Sequence, residues 1–205
     1  MDKLKKLILS FGIFLGFCAA ILPLKTNAYN VILSTDTITV EIEDYLELSV
    51  ISGTGGTNVS YSDGTYTGTL SNGSALANFG TTVLSAVTNN AAGWKLQARS
   101  STNNGAGVAT MVGSTTGLTI PSSSTSLDGS ASTWTMRLTA GTGSPTIATG
   151  YNATHTIPAS NTTVATGSYG DPRQMSVTYG VGIASTQAAD TYTGQVIYTL
   201  SVNGS

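Results

Sequence analysis

Residues 175–183 read MSVTYGVGI, and their rhythm decides the architecture. Met175, Val177, Tyr179, Val181 and Ile183 fall on one side of an extended chain, with Ser176 and Thr178 on the other. Successive side chains of a strand point to opposite faces, so this alternation describes a strand with one greasy and one wet face. The pattern recurs on either side. Trp94, Leu96 and Ala98 oppose Lys95, Gln97 and Arg99 after the turn-forming residues 89–93, NNAAG. Trp134, Met136 and Leu138 oppose Thr135 and Arg137. Near the carboxyl end, Tyr192, Val196, Tyr198, Leu200 and Val202 oppose Thr191, Thr193, Gln195, Thr199 and Ser201, with Ile197 as the exception. This predicts one closing strand.

Towards the amino end, residues 38–50 alternate again. Ile38, Val40, Ile42, Leu46, Leu48 and Val50 share a face opposite Thr39, Glu41, Glu43, Glu47 and Ser49. Asp44 interrupts the apolar row and predicts a bulge or short turn, because an unpaired carboxylate in a core is costly. Between residues 100 and 132, Ser, Thr and Gly dominate around two short apolar pieces, 108–112 and 118–120, which predicts short strands joined by loops. The dipeptides Tyr66-Thr67 and Tyr192-Thr193 both sit in Thr-Tyr-Thr-Gly, an echo too short to define a repeat.

A chain so rich in Gly, Ser, Thr and Asn and so poor in charge invites a disordered reading. The alternation excludes it, since each predicted strand buries a row of large apolar side chains. No stretch beyond the amino end carries an apolar stripe of helical period with a cap. The expected fold is therefore all-β: an antiparallel, immunoglobulin-like β-sandwich preceded by an N-terminal signal helix.

That leader is read from Lys3, Lys5 and Lys6, the apolar run 7–24, and Lys25, Thr26, Asn27 and Ala28. Charged start, apolar middle and small residues at Thr26 and Ala28 make a secretory signal with cleavage after Ala28. A run of this length also approaches a membrane span, but the flanks favour a cleaved leader. Cys18 is preceded by Phe17 rather than by the small residue that a lipidated cysteine follows. The expected organisation is residues 1–28 as signal peptide and residues 29–205 as one β-sandwich domain, with no membrane insertion after cleavage.

Cleavage changes the charge. The whole chain carries a formal −2, but the mature part retains only Lys95, Arg99, Arg137 and Arg173 against nine acids, a net −5. So few cations leave no footprint for phosphate backbones or anionic lipid, which argues against nucleic acid and membrane surfaces as partners. The single cysteine leaves with the leader, so no disulfide staples the fold and a core must hold it. The remaining length suits one domain of the usual ~100–200 residues.

Two segments carry a family resemblance. Residues 83–98, VLSAVTNNAAGWKLQA, resemble the first signature of WxL-domain surface proteins of Gram-positive-type cell walls, where a strand and an Asn-rich turn lead into Gly-Trp-x-Leu. Residues 191–202, TYTGQVIYTLSV, resemble the second signature, with Tyr198 where that signature has its Trp. The block 177–201 is also similar to the C-terminal part of small secreted β-sandwich proteins of uncultured small-genome bacteria. The WxL resemblance implies noncovalent attachment to peptidoglycan, with Trp94, Leu96, Tyr198 and Leu200 as the corresponding positions. Read from the residues alone, each pair shares a strand face and fills a core.

Chemistry-bearing constellations are sparse. His155 is the only histidine, with no cysteine beside it, so neither a triad nor a histidine metal cluster is predicted. Asp36, Glu41, Glu43, Asp44 and Glu47 crowd one segment, but alternation puts Glu41, Glu43 and Glu47 on a solvated face rather than across a cleft. Asp63, Asp128, Asp171 and Asp190 stand in turns, where single carboxylates serve as Asx-type turn residues and match no EF-hand. Lys95 is the one lysine of the mature chain and the one candidate for a Lys–Asn isopeptide bond, yet it points away from the Trp94 face. The sequons at Asn58, Asn72, Asn152, Asn161 and Asn203 read as turns. No catalytic residue, cofactor or metal is expected. No sorting signal is read before Ser205, so any attachment is expected to be noncovalent. The expected function is a secreted structural or adhesive protein, extracellular or on the cell-wall surface, contacting cell-wall glycan or other surface proteins. A WxL-like peptidoglycan-binding module and a self-assembling, pilus-like subunit are the alternatives.

Overall fold

A computed structural model describes residues 45–125 and 127–204, within a compact unit spanning Asp44–Ser205. The expected leader and the expected strand residues 38–44 lie outside the described residues. The described chain is all-β with antiparallel sheets, and among its residues no helix is long and apolar enough to cross a membrane.

Two four-stranded sheets share one core. The first runs β1 (Leu46–Gly55), β4 (Ser74–Thr88), β11 (Arg173–Ile183) and β8 (Thr133–Ala140). The second runs β13 (Val196–Val202), β5 (Trp94–Ser100), β10 (Thr162–Gly167) and β9 (Thr146–Ile147). β1 lies beside β13, and β8 beside β9, so the sheets face each other edge over edge in a β-sandwich-like arrangement. Leu84, Met136, Leu138, Met175 and Val177 from the first sheet meet Trp94, Leu96, Ala98, Val164 and Ala165 from the second, all buried. A small sheet of β12 (Tyr192–Thr193), β6 (Thr110–Gly113) and β7 (Thr119–Pro121) adds Ile120 to the same core. The hairpin of β2 (Val59–Ser62) and β3 (Thr65–Gly68) turns on Asp63 and Gly64, whose φ values of 47° and 79° make the mirror-image turn that matches strand twist.

The expected rhythm is clearest in β5, where Trp94, Leu96, Ala98 and Ser100 are buried and the residues between them are not. In β11, Met175 and Val177 hold the inner row opposite Leu138 and Ala140 on one flank and Leu84 and Thr82 on the other. The short apolar pieces between residues 100 and 132 become β6 and β7.

One expected element divides. The closing strand breaks into β12 and β13 because Gly194 lies against Trp134: a Cβ there would sit 2.9 Å from the indole ring. β12 consequently pairs with β6 and β13 with β5.

At one end of the core four tyrosines meet. Tyr66 lies over Gly80 of β4, where a Cβ would come within 2.3 Å of its ring. Its ring is 4.9 Å from that of Tyr61 and 5.9 Å from that of Tyr179. The Tyr179 and Tyr198 hydroxyls are 2.6 Å apart, joining β11 of one sheet to β13 of the other.

The outer faces are hydroxyl-rich. Across the first sheet run Thr139, Ser176, Val83 and Ser52 in one row and Arg137, Thr178, Thr81 and Thr54 in the next, in which Thr178 is buried and its hydroxyl lies 3.1 Å from that of Thr81. Across the second run Lys95, Thr166 and Thr146, beside Ser201 whose Oγ is itself buried, then Thr199, Gln97 and Thr163.

Candidate functional site

Strand ends gather at the Arg173 rim of the sandwich. Arg173 opens β11, where the chain leaves the core, so its side chain lies between two loops instead of among apolar residues. Its guanidinium donates from Nη1 to the Gly143 carbonyl, from Nη2 to Ser168 Oγ at 2.6 Å and from Nε to the Ser168 carbonyl at 3.4 Å. These bonds tie the β8–β9 loop to the β10–β11 loop. Further backbone bonds brace the rim: Gln174 N donates to Thr142 O at 2.8 Å, and Gly170 N to Thr88 O at 2.9 Å.

Two adjoining clefts open around this arginine. The first, of about 550 Å³, is lined by Gly143, Ser168, Tyr169, Gly170, Asp171 and Arg173. The second, of about 350 Å³, shares Ser168 and Arg173 and adds Ala92, Ser144, Thr146, Thr166, Gly167 and Asn203. Tyr169 is 57% exposed, the most exposed aromatic ring in the described chain along with being the only one in either cleft. Behind Gly167, on the core side, lies the Trp94 ring, so close that a Cβ on Gly167 would sit 2.4 Å from it. The rim thus offers a fixed guanidinium, one carboxylate, an open phenol ring and several hydroxyls. Neither cleft is lined by a histidine or a lysine.

The positions carried by the family resemblance sit elsewhere. Trp94 and Leu96 are fully buried. Tyr198 and Leu200 are partly buried against the same core. The structure does bring the two signature segments together: Leu200 pairs with Leu96 and Val202 with Trp94, and Asn203 N donates to Gly93 O at 3.0 Å. The second cleft is thus bordered by Ala92 within the first segment and by Asn203, the residue that follows the second.

The other singled-out residues are occupied locally. The Asp190 carboxylate accepts from Ser114 Oγ, from the Thr115, Thr116 and Thr191 amides and from Thr116 Oγ1, at distances of 2.6–3.2 Å. The Thr116 hydroxyl and amide dominate this set and hold its acidity well below the ordinary carboxylate range. It anchors the β6–β7 turn. Asp128 likewise accepts from Ser130 Oγ at 2.6 Å and from its amide at 2.9 Å. Asp63 forms the hairpin turn, and only Asp171 faces a cleft. Asn72 crosses to the Ser185 and Gln187 carbonyls at 3.3 and 3.0 Å. His155 stacks on Tyr151 at 4.3 Å, with Nδ1 3.1 Å from the Thr156 carbonyl, and its backbone pairs with Met136. Among the described residues no three His, Cys, Asp or Glu side chains gather as a metal cage. Lys95 lies between Thr166 and Ser201 in the ladder, on the outer face.

Sequence reading singled out Asp171 only as a turn residue and Arg173 only as a cation; Tyr169 escaped it. The dense run SYGDPR at 168–173, which sets an aromatic ring just ahead of an acid and a base in a Gly/Pro turn, was the available signal. No family model matches the chain, and no curated protein matches it.

Proposed function

We propose that this is a secreted, cell-surface-associated structural or adhesive β-sandwich of immunoglobulin-like type, without catalytic activity, exported by a leader cleaved after Ala28. The observation that carries this reading is the register of polar side chains across both outer sheet faces, hydroxyls for the most part, with Glu47 and Arg137 on the first and Lys95 and Arg99 on the second as their charged members. Such faces are hydrated and hydrogen-bond in both directions, which suits contact with polyhydroxylated or peptide surfaces. The rim adds a second, concave contact region.

The test is fractionation of producing cells followed by sedimentation of the purified mature chain with isolated cell walls. The reading expects leader-free protein in the extracellular or wall fraction, and co-sedimentation with walls. Full-length protein confined to the cytosol overturns it.

The WxL-like reading gains from one observation: its two resemblance segments, distant in sequence, form the adjacent strands β5 and β13 in register. In that reading Trp94, Leu96, Tyr198 and Leu200 act from beneath, by holding the strand pair whose ends border the second cleft. Trp94→Phe would then weaken wall sedimentation only to the degree that it loosens the fold, measured by thermal midpoint.

A further inference from the structure

We propose that the paired clefts at the Arg173 rim form a binding site for a short run of neutral sugar residues. The inference deepens the adhesive reading and rests on it only for where the ligand is met. Four observations converge on this chemistry. First, two open clefts, about 550 and 350 Å³, lie side by side with Ser168 and Arg173 lining both, so a ligand of more than one ring can touch the same arginine from either cleft. Second, Tyr169 presents more than half of its surface to solvent at the mouth of the first cleft, where a pyranose face of C–H groups can lie on the phenol ring.

Third, three of the five guanidinium N–H groups of Arg173 are spent on Gly143 and Ser168, which fixes its plane. One N–H on each Nη remains, so the arginine that lines both clefts still has donors for ligand hydroxyls. Fourth, Asp171 supplies an acceptor in the same cleft, while Ser144 and Asn203 extend hydrogen bonding into the second. Polar donors and acceptors of both kinds beside one aromatic face match a polyol, which carries both. Charge selects against the anionic alternative. Arg173 and Asp171 cancel within the site and no second cation lines either cleft, so a phosphate- or uronate-bearing polymer gains no net attraction there. The site is separate from the buried pairs Trp94/Leu96 and Tyr198/Leu200.

The test is titration of the ¹⁵N-labelled mature chain with chitotetraose, cellotetraose and mannotetraose as neutral probes and tetragalacturonate as the anionic one, followed by amide chemical shifts. At least one neutral tetramer should shift amides of residues 143–146, 166–174 and 203, with Tyr169→Ala weakening that binding about tenfold or more. Tyr169 is exposed, so this variant retains the fold, which the unchanged remainder of the spectrum verifies. Asp171→Asn, a second exposed change, should weaken binding without moving core resonances. Four results overturn the proposal: no shifts with any neutral tetramer up to about 10 mM, shifts confined to other surfaces, binding untouched by Tyr169→Ala, or a preference for the tetragalacturonate. Wall sedimentation that survives Tyr169→Ala in full, alongside a silent rim, removes this site and leaves the adhesive reading standing. Tetramer binding at the rim without wall sedimentation does the reverse.

Discussion

Single residues in this protein are constrained mostly by rings pressed onto backbone. Gly167 shows it best: Trp94 is fully buried and its indole occupies the place of a Gly167 side chain. Gly167→Ala forces a 2.4 Å approach that neither the core nor the β5–β10 ladder can relieve by a small shift. The expected loss is about 1–3 kcal/mol of unfolding free energy in denaturant titration. Gly64→Ala is a control of a different kind, since open space surrounds that position and only its φ of 79° resists a side chain. It should cost less, about 1 kcal/mol. If Gly167→Ala is as mild as Gly64→Ala, the Trp94 ring yields to the new side chain rather than holding its place. The same closeness explains why Trp94 sits under the surface: a Trp that needs a glycine opposite it is a packing pair.

At the scale of elements, the β6–β7 turn depends on Asp190, which is not part of that hairpin. Five donors hold its carboxylate in the ionised form, so its acidity in the folded chain is well below the ordinary 3.8. A depressed folded value means stabilisation that is present above the unfolded value and drains away as pH falls below it. Asp190→Asn should therefore lower the thermal midpoint near neutral pH, and the gap between variant and parent should close in acid. A gap that stays constant from neutral to acid pH would show that the carboxylate charge plays no part.

Elements also show what the sequence could reveal. β5, β8 and β11 were legible because large apolar residues fall at every second position. β4, the longest strand, was not, because its buried row is Gly80, Thr82, Leu84, Ala86 and Thr88, in which only Leu84 is large and apolar. Its glycine exists to receive Tyr66, a long-range fact with no local sign. β10 hid for another reason: a bulge between Thr163 and Ala165 buries the neighbours Val164 and Ala165 together and breaks the alternation. The rim clefts were illegible as a unit, since their walls come from four separated segments and no short motif spans them.

For the whole molecule, the Tyr179–Tyr198 hydroxyl pair links sheet to sheet. Burial is the main cause that pushes both phenols above their usual value of 10.0, while their hydrogen bond opposes the rise at Tyr179 and adds to it at Tyr198. A group whose folded value is raised stabilises the fold fully below its unfolded value and loses that contribution as pH climbs through the folded one. Alkaline titration should therefore remove the strand circular dichroism at the same pH at which the buried phenolates appear in the ultraviolet. Phenolates that all titrate near 10 with the sheets intact would show that the pair does not join them. Tyr198→Phe, which removes one partner, should cost about 0.5–1.5 kcal/mol at neutral pH.

The sheet orders β1-β4-β11-β8 and β13-β5-β10-β9 carry a consequence in time. In the first, β4 finds β1 already made but waits for β11, and in the second β5 waits for both β10 and β13. A chain emerging from a ribosome thus completes neither sheet as it appears, because the second partner of β4 and both partners of β5 follow far behind them. The two sheets stay incomplete until β10, β11 and β13 are all present, after which both can zip almost at once.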